Sequence, residues 1–197
     1  MEVYAKGKRG IIYKQGSVCV KEKNPRSRVD TLRNEAEHLR RLNKKGIGPR
    51  FIKYKNKKLY REFVEGVTIK DFLEKEESKK KIISVLKQVL EQCRTMDLMG
   101  VNKNELTNPY KDILVTRDNK AVMIDFERCK KAEKPKNVTQ FLQYIAKNKE
   151  LLRRRGVLVD KDELVRLGRL YKNDCSEENF KRIIRMIENQ DRTKPNP

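Results

Sequence analysis

The stretch Met99–Arg128, MGVNKNELTNPYKDILVTRDNKAVMIDFER, decides how the rest of the chain is read. A helical pattern runs into Gly100, and a polar loop follows that carries Glu105 and Asp112. Ile113-Leu114-Val115 is a short apolar segment, Arg117-Asp118-Asn119-Lys120 is a turn, and Ala121–Ile124 is a second apolar segment that ends at Asp125. Two short strands joined by a polar turn predict a hairpin. One carboxylate, Asp112, stands just before that hairpin and another, Asp125, just after it. Carboxylates at the open ends of paired strands suit Mg²⁺, which takes one or two of them together with phosphate oxygens. Solvated acids at strand ends are also common, and the spacing alone leaves that alternative open.

Working outward, 197 residues make one large domain or two small lobes that share a cleft, long enough for a real core. The chain has 49 Lys and Arg against 28 Asp and Glu, a net charge of +21. The excess is uneven: residues 1–61 carry 19 basic and 5 acidic side chains, residues 62–197 carry 30 and 23. A basic first third favours polyanions such as nucleic acid or nucleotide phosphates. Lysine-rich, highly charged composition is equally a mark of heat adaptation. Cys19, Cys93, Cys129 and Cys175 lie far apart with no Cys-x-x-Cys pair, so neither a zinc site nor a disulfide framework is expected. No apolar run approaches a membrane span, and Met1-Glu2-Val3 begins no signal peptide. The expectation is a cytoplasmic protein.

Residues 2–23 read as strands at Val3–Ala5, Ile11–Tyr13 and Ser17–Lys21. The loop between the first two, holding Gly7 and Gly10, could lay its backbone N–H groups over phosphates, with Lys8 and Arg9 adding charge. A helix is expected from Asp30 as N-cap, with Leu32, Ala36, Leu39 and Leu42 as its buried stripe. At 100° per residue, Glu35 falls roughly 60° from Leu32 and Glu37 roughly 140° away. Glu35 is therefore the acid that faces inward, and a buried carboxylate needs a cation. His38, on a flank of this helix, is assigned no role. Phe51–Tyr54 and Leu59–Val64 read as two more strands. Thr68 caps a short helix with Ile69, Phe72 and Leu73 inward. A longer helix covers about Lys80–Met99, with Gly100 as its C-cap. After Arg128 a Lys-rich connector, Lys130–Lys136, precedes three helices, the last two capped by Asp160 and Ser176. Arg192–Pro197 reads as a frayed tail.

Gly100-Val101, Lys103-Asn104-Glu105-Leu106, Asp112-Ile113-Leu114-Val115 and Ile124-Asp125-Phe126-Glu127 together resemble the catalytic and metal-binding segments of the protein-kinase-like fold, which read His-Arg-Asp-Leu, Asn-Ile-Leu-Leu and Asp-Phe-Gly in protein kinases. The chain looks most like the small archaeal proteins called predicted serine/threonine kinases, and more distantly like RIO-type and aminoglycoside-type phosphotransferases. The resemblance covers residues 3–128. It implies an α+β, minimal two-lobed fold: an antiparallel-sheet N-terminal lobe with one helix over 1–64, a mostly helical C-terminal lobe over 65–191, and a tail over 192–197. It also implies ATP and Mg²⁺ as cofactors and transfer of the γ-phosphate to a hydroxyl, on serine or threonine. ATP contacts would come from Gly7, Gly10, Lys21, Glu35, and the hinge residues Glu62 and Val64. Lys21, at the end of Val-x-Val-Lys, would pair with Glu35. Lys21 and Glu105 would be the catalytic residues, Glu105 as the carboxylate that orients the acceptor and can take its proton, and Asp112 and Asp125 would be the metal ligands.

Four departures, at five positions, separate the chain from the kinase pattern. Glu105 replaces the catalytic Asp, Lys103-Asn104 replace His-Arg, Asp112 replaces the usual Asn after a loop two residues longer, and Glu127 replaces the Gly of Asp-Phe-Gly. A non-catalytic kinase-like module that binds RNA through its basic first lobe is therefore a rival, with Tyr13, Phe51, Tyr54 and Tyr60 as stacking candidates. A small-molecule phosphotransferase is a third reading, favoured by Ile-Asp-Phe-Glu and the short C-terminal part.

Overall fold

Alternation of apolar and polar residues along the first third of the chain builds an antiparallel sheet with one helix packed on it. The structure, a computed structural model, describes residues 2–189; the expected tail at 192–197 lies outside the described residues. The strands are β1 (Glu2–Lys6), β2 (Gly10–Gln15) and β3 (Val18–Lys23), then, after α1 (Leu32–Asn43), β4 (Phe51–Lys55) and β5 (Lys58–Glu62). Their order in the sheet is β1-β2-β3-β5-β4. β3 is thus the central strand, with Lys21 opposite Ile12 on one side and Leu59 on the other. A central strand has neighbours on both edges, and Cys19, Val20 and Lys21 are all buried.

Leu32, Ala36, Leu39 and Leu42 of α1 are buried, and Glu35 is buried with them, as the helical spacing predicts. The cap differs from expectation. Thr31, not Asp30, is the N-cap, and its hydroxyl is directed to Glu127 Oε2 at 3.2 Å instead of to the helix. Asp30 accepts from the Leu32 N–H at 3.1 Å, one residue outside the cap position.

The remaining elements are β6 (Val67–Thr68), α2 (Ile69–Lys75), α3 (Lys79–Leu98), β7 (Val101–Lys103), β8 (Ile113–Val115), β9 (Ala121–Met123), β10 (Cys129–Lys131), α4 (Asn137–Lys147), α5 (Lys149–Arg154), α6 (Lys161–Asn173) and α7 (Glu177–Glu188). The protein is therefore α+β, with a five-stranded antiparallel sheet and seven helices among the described residues. None of these helices is long and apolar enough to cross a membrane. The β8–β9 hairpin forms with Leu114 opposite Val122, and β6 extends it to three strands. Thr68, Asp160 and Ser176 cap their helices with side-chain hydrogen bonds as expected.

Two expectations are corrected here. Four helices follow β10, not three, because Asn148 and Gly156 break out α5 as a separate short turn of helix. The connector expected at Lys130–Lys136 begins within a strand: β10 pairs with β7, Cys129 opposite Lys103. A long-range pairing of three-residue strands has no local periodicity to announce it.

One hydrophobic cluster runs from Ala36, Leu39 and Leu59 through Leu86, Val89 and Met123 to Phe141 and Ile183. Gly48 lets Phe126 into it. Its φ is +83°, and a Cβ there would lie 2.8 Å from the Phe126 ring and 2.9 Å from Leu39. Beside this cluster sits a buried polar network. Asp97, near the end of α3, accepts from the backbone N–H groups of Asn137 (2.9 Å) and Val138 (3.2 Å) and from Asn137 Nδ2 (2.7 Å). It thereby caps α4 from another part of the chain. Burial pushes the Asp97 carboxyl above its usual range, and these donors oppose the shift. Asn137 Oδ1 accepts from the Lys103 N–H at 2.7 Å, and Asn137 Nδ2 also donates to Val101 O at 2.6 Å. β7 is therefore pinned to the start of α4.

Candidate functional site

Lys21 reaches from the central strand into a group of carboxylates. Its Nζ lies 2.7 Å from Glu35 Oε2, 3.1 Å from Asp125 Oδ1 and 3.3 Å from Glu127 Oε2. Gly10, on the neighbouring strand, makes room for the lysine stem: a Cβ there would stand 2.9 Å from Lys21 Cε. Burial pulls the Lys21 ammonium down, but Glu35, Asp125 and Glu127 outweigh it, and its pKa rises above the ordinary lysine value. Carboxylate oxygens of Glu35, Asp125 and Glu127 all lie within 4.8 Å of one another, as metal ligands would. The cation that already sits among them is the Lys21 ammonium.

Glu127 takes part in a way its place in the sequence did not reveal. It accepts from Arg9 Nη1 at 3.2 Å and Thr31 Oγ1 at 3.2 Å as well as from Lys21. Its backbone oxygen also accepts from Asn34 Nδ2 at 2.9 Å. The residue after Asp125-Phe126 thus fastens the Gly7–Gly10 loop and α1 to the end of the hairpin.

Asp125 follows β9 with φ +61°, a left-handed conformation unusual for a non-glycine residue. Its side chain keeps 42% of its exposure, against 1% for Glu35 and 11% for Glu127. Of the three acids it is the one that reaches open space. Burial raises its pKa, yet Lys21 and Lys103 more than offset this and hold the carboxyl below its ordinary range. Asp112 is the contrary case: burial pushes it up against the pull of Lys103. Lys103 is only 2% exposed, and its Nζ donates to Ile124 O at 3.0 Å and to Asp125 O and lies 3.2 Å from Asp112 Oδ2. Glu105 stands at the rim with φ +81°, paired with the Arg128 guanidinium.

A cavity of about 490 Å³ opens beside this cluster. Gly7, Gly10, Lys21, Glu35, Glu105, Asp112 and Asp125, all singled out in the sequence, line it together. Glu62 and Val64 do not; they line a separate cavity of about 240 Å³. Glu62 ends β5, opposite Val18 of β3. The Glu62 N–H donates to Arg50 O at 2.8 Å, and Glu62 O accepts from Arg61 Nη1 at 3.1 Å. Its backbone groups are engaged with protein partners, as is the Phe63 N–H, bonded to Ser17 O at 2.8 Å. The proposed stacking residues Tyr13, Phe51, Tyr54 and Tyr60 are all half-buried, and Lys53 covers the Tyr60 ring at 4.8 Å.

Among the residues gathered here, the sequence pointed to Arg9 only as added charge beside the glycine loop and to Lys103 and Glu127 only as departures from a pattern, while Thr31, Asn137 and Arg128 gave no signal. No protein-family model matches the chain, and no curated protein matches it.

Proposed function

We propose that this chain is an ATP- and Mg²⁺-dependent phosphotransferase of the protein-kinase-like type, with residues 1–64 and 65–191 as the two lobes of its cleft and a hydroxyl, of serine or threonine by resemblance, as acceptor. The observation that carries the reading is the convergence of Lys21, Glu35 and Asp125, from a strand, a helix and a hairpin end, on one side of a 490 Å³ cavity. A lysine held by a helix glutamate beside an aspartate at a hairpin end is the arrangement that positions a triphosphate.

In this reading Lys21 holds the α- and β-phosphates and Glu35 keeps the lysine aimed. Asp125, ionised and open to the cavity, fits a hard cation that prefers oxygen ligands, with Asp112 the other acid near it. When bound, Mg²⁺ neutralises the charge that builds on the phosphate oxygens. Glu105, across the rim, accepts the proton of the attacking hydroxyl once Arg128 shares or yields its carboxylate. The Gly7–Gly10 loop, closed by the Gly7 N–H bonded to Gly10 O at 2.8 Å, lies over the cavity, and Arg9 adds charge above the phosphates.

Thermal unfolding with ATP, with and without Mg²⁺, on wild type and Asp125→Asn tests this. Nucleotide at about 100 times its dissociation constant adds roughly 2.7 kcal/mol, an upshift of about 5–10 °C for a chain of this size. The expected result is a Mg²⁺-dependent upshift that the variant loses. No shift in either protein would remove the nucleotide site, and salt-sensitive RNA binding would then be the next measurement.

A further inference from the structure

Resting on the phosphotransferase reading, we propose that Lys103 is a built-in cation that replaces one of the two divalent ions found in two-metal phosphoryl-transfer sites, so that this cleft takes a single divalent ion with its nucleotide. Asp112 and Asp125 are the two acids at the hairpin ends, and a two-ion site draws on both. Here the space beside Asp112 already holds positive charge.

Three features make Lys103 a fixed charge and not a swinging surface lysine. Its side chain is 2% exposed, and Nζ faces three oxygens: Asp112 Oδ2 at 3.2 Å, Ile124 O at 3.0 Å and Asp125 O. The Phe126 ring closes another side, its centroid 5.3 Å from Nζ. The backbone of Lys103 is itself held, its N–H donating to the fully buried Asn137 at 2.7 Å and its register in β7 set by Cys129. Carbonyl and carboxylate oxygens gathered about one buried positive centre resemble the shell of a bound ion.

A divalent ion on Asp112 would stand within a few ångströms of this ammonium, where like charges repel strongly in a partly desolvated site. Removing Lys103 to relieve that repulsion would leave Ile124 O and Asp125 O without their donor. The ammonium therefore holds its place, and Asp125, more exposed than Asp112, is left as the principal acid for an exchangeable ion.

The test counts ions. Mn²⁺ bound per protein-bound non-hydrolysable ATP analogue is measured by electron paramagnetic resonance during equilibrium dialysis, at saturating Mn²⁺, on wild type, Lys103→Arg and Lys103→Met. The expected ratios are one, one and two. Two ions in the wild type, or one in a Lys103→Met protein shown by circular dichroism to be folded, would overturn the proposal and leave the phosphotransferase reading standing. If Lys103→Met does not fold, the wild-type ratio alone decides. No nucleotide-dependent ion in any of the three defeats both.

Discussion

Lys21 on the central strand and Glu35 on α1 form a buried ion pair with Nζ 2.7 Å from Oε2, and the pair is not symmetric. Among the described residues Glu35 is at bonding distance from one charged group, Lys21, whereas Lys21 also holds Asp125 and Glu127. Removing either partner has a different consequence.

Lys21→Met leaves three carboxylates, their oxygens within 4.8 Å of one another, without their common cation. Stranding buried charge in this way costs about 3–5 kcal/mol. Glu35→Gln leaves Lys21 with two acids and should cost about 1–2 kcal/mol. Urea unfolding at neutral pH compares the two. Equal losses would mean that the strand–helix contact alone, and not the cluster, sets the stability. The same asymmetry makes Asp125→Asn the cleaner probe of activity, since it spares the buried pair.

The Lys21 pair also has a pH signature. Its folded-state pKa is raised above the ordinary 10.5, so its contribution is fully present below that value and is lost only as pH rises through the higher folded value. The stability difference between wild type and Lys21→Met should stay level from about pH 7 to about pH 10 and shrink only above that. Urea midpoints measured across this range check it. A gap that closes before pH 10 would show that burial has overcome the three carboxylates.

Asn137→Ala should cost about 2–4 kcal/mol, because a fully buried amide that serves Asp97, Val101 O and the Lys103 N–H is removed at once. Phosphate transfer should fall too, since β7 carries Lys103 to Asp112. Chemical unfolding and an activity assay read the two effects. A stability loss with unchanged activity would separate this network from the site.

Glu127→Gln should bind an ATP analogue roughly tenfold more tightly, about 1.4 kcal/mol, because Glu127 occupies the Arg9 and Lys21 donors that a phosphate would use. Isothermal titration measures it. Weaker binding would show that Glu127 aims those cations instead of competing for them.

Much of this was legible along the chain. The buried stripe of α1, the inward turn of Glu35, the caps at Thr68, Asp160 and Ser176, and the β8–β9 hairpin all follow from local geometry. Each depends on residues a few positions apart, whose relative directions are set by helix and strand periods. The order Lys21, Glu35, Glu105, Asp112, Asp125 also picked out five residues that line one cavity.

Tertiary structure decided who meets whom. No local pattern could place Lys103 under Asp112, pair β10 with β7, or aim Arg9 and Thr31 at Glu127, 118 and 96 residues away. Nor could it reveal that the Glu62 N–H is taken by Arg50 O and the Glu62 O by the Arg61 guanidinium. A side chain's type and the face it occupies are properties of its own segment. The partner that satisfies a buried charge is chosen by how separate segments pack, because an ammonium or carboxylate taken from water is stable only where that packing supplies its counter-charge.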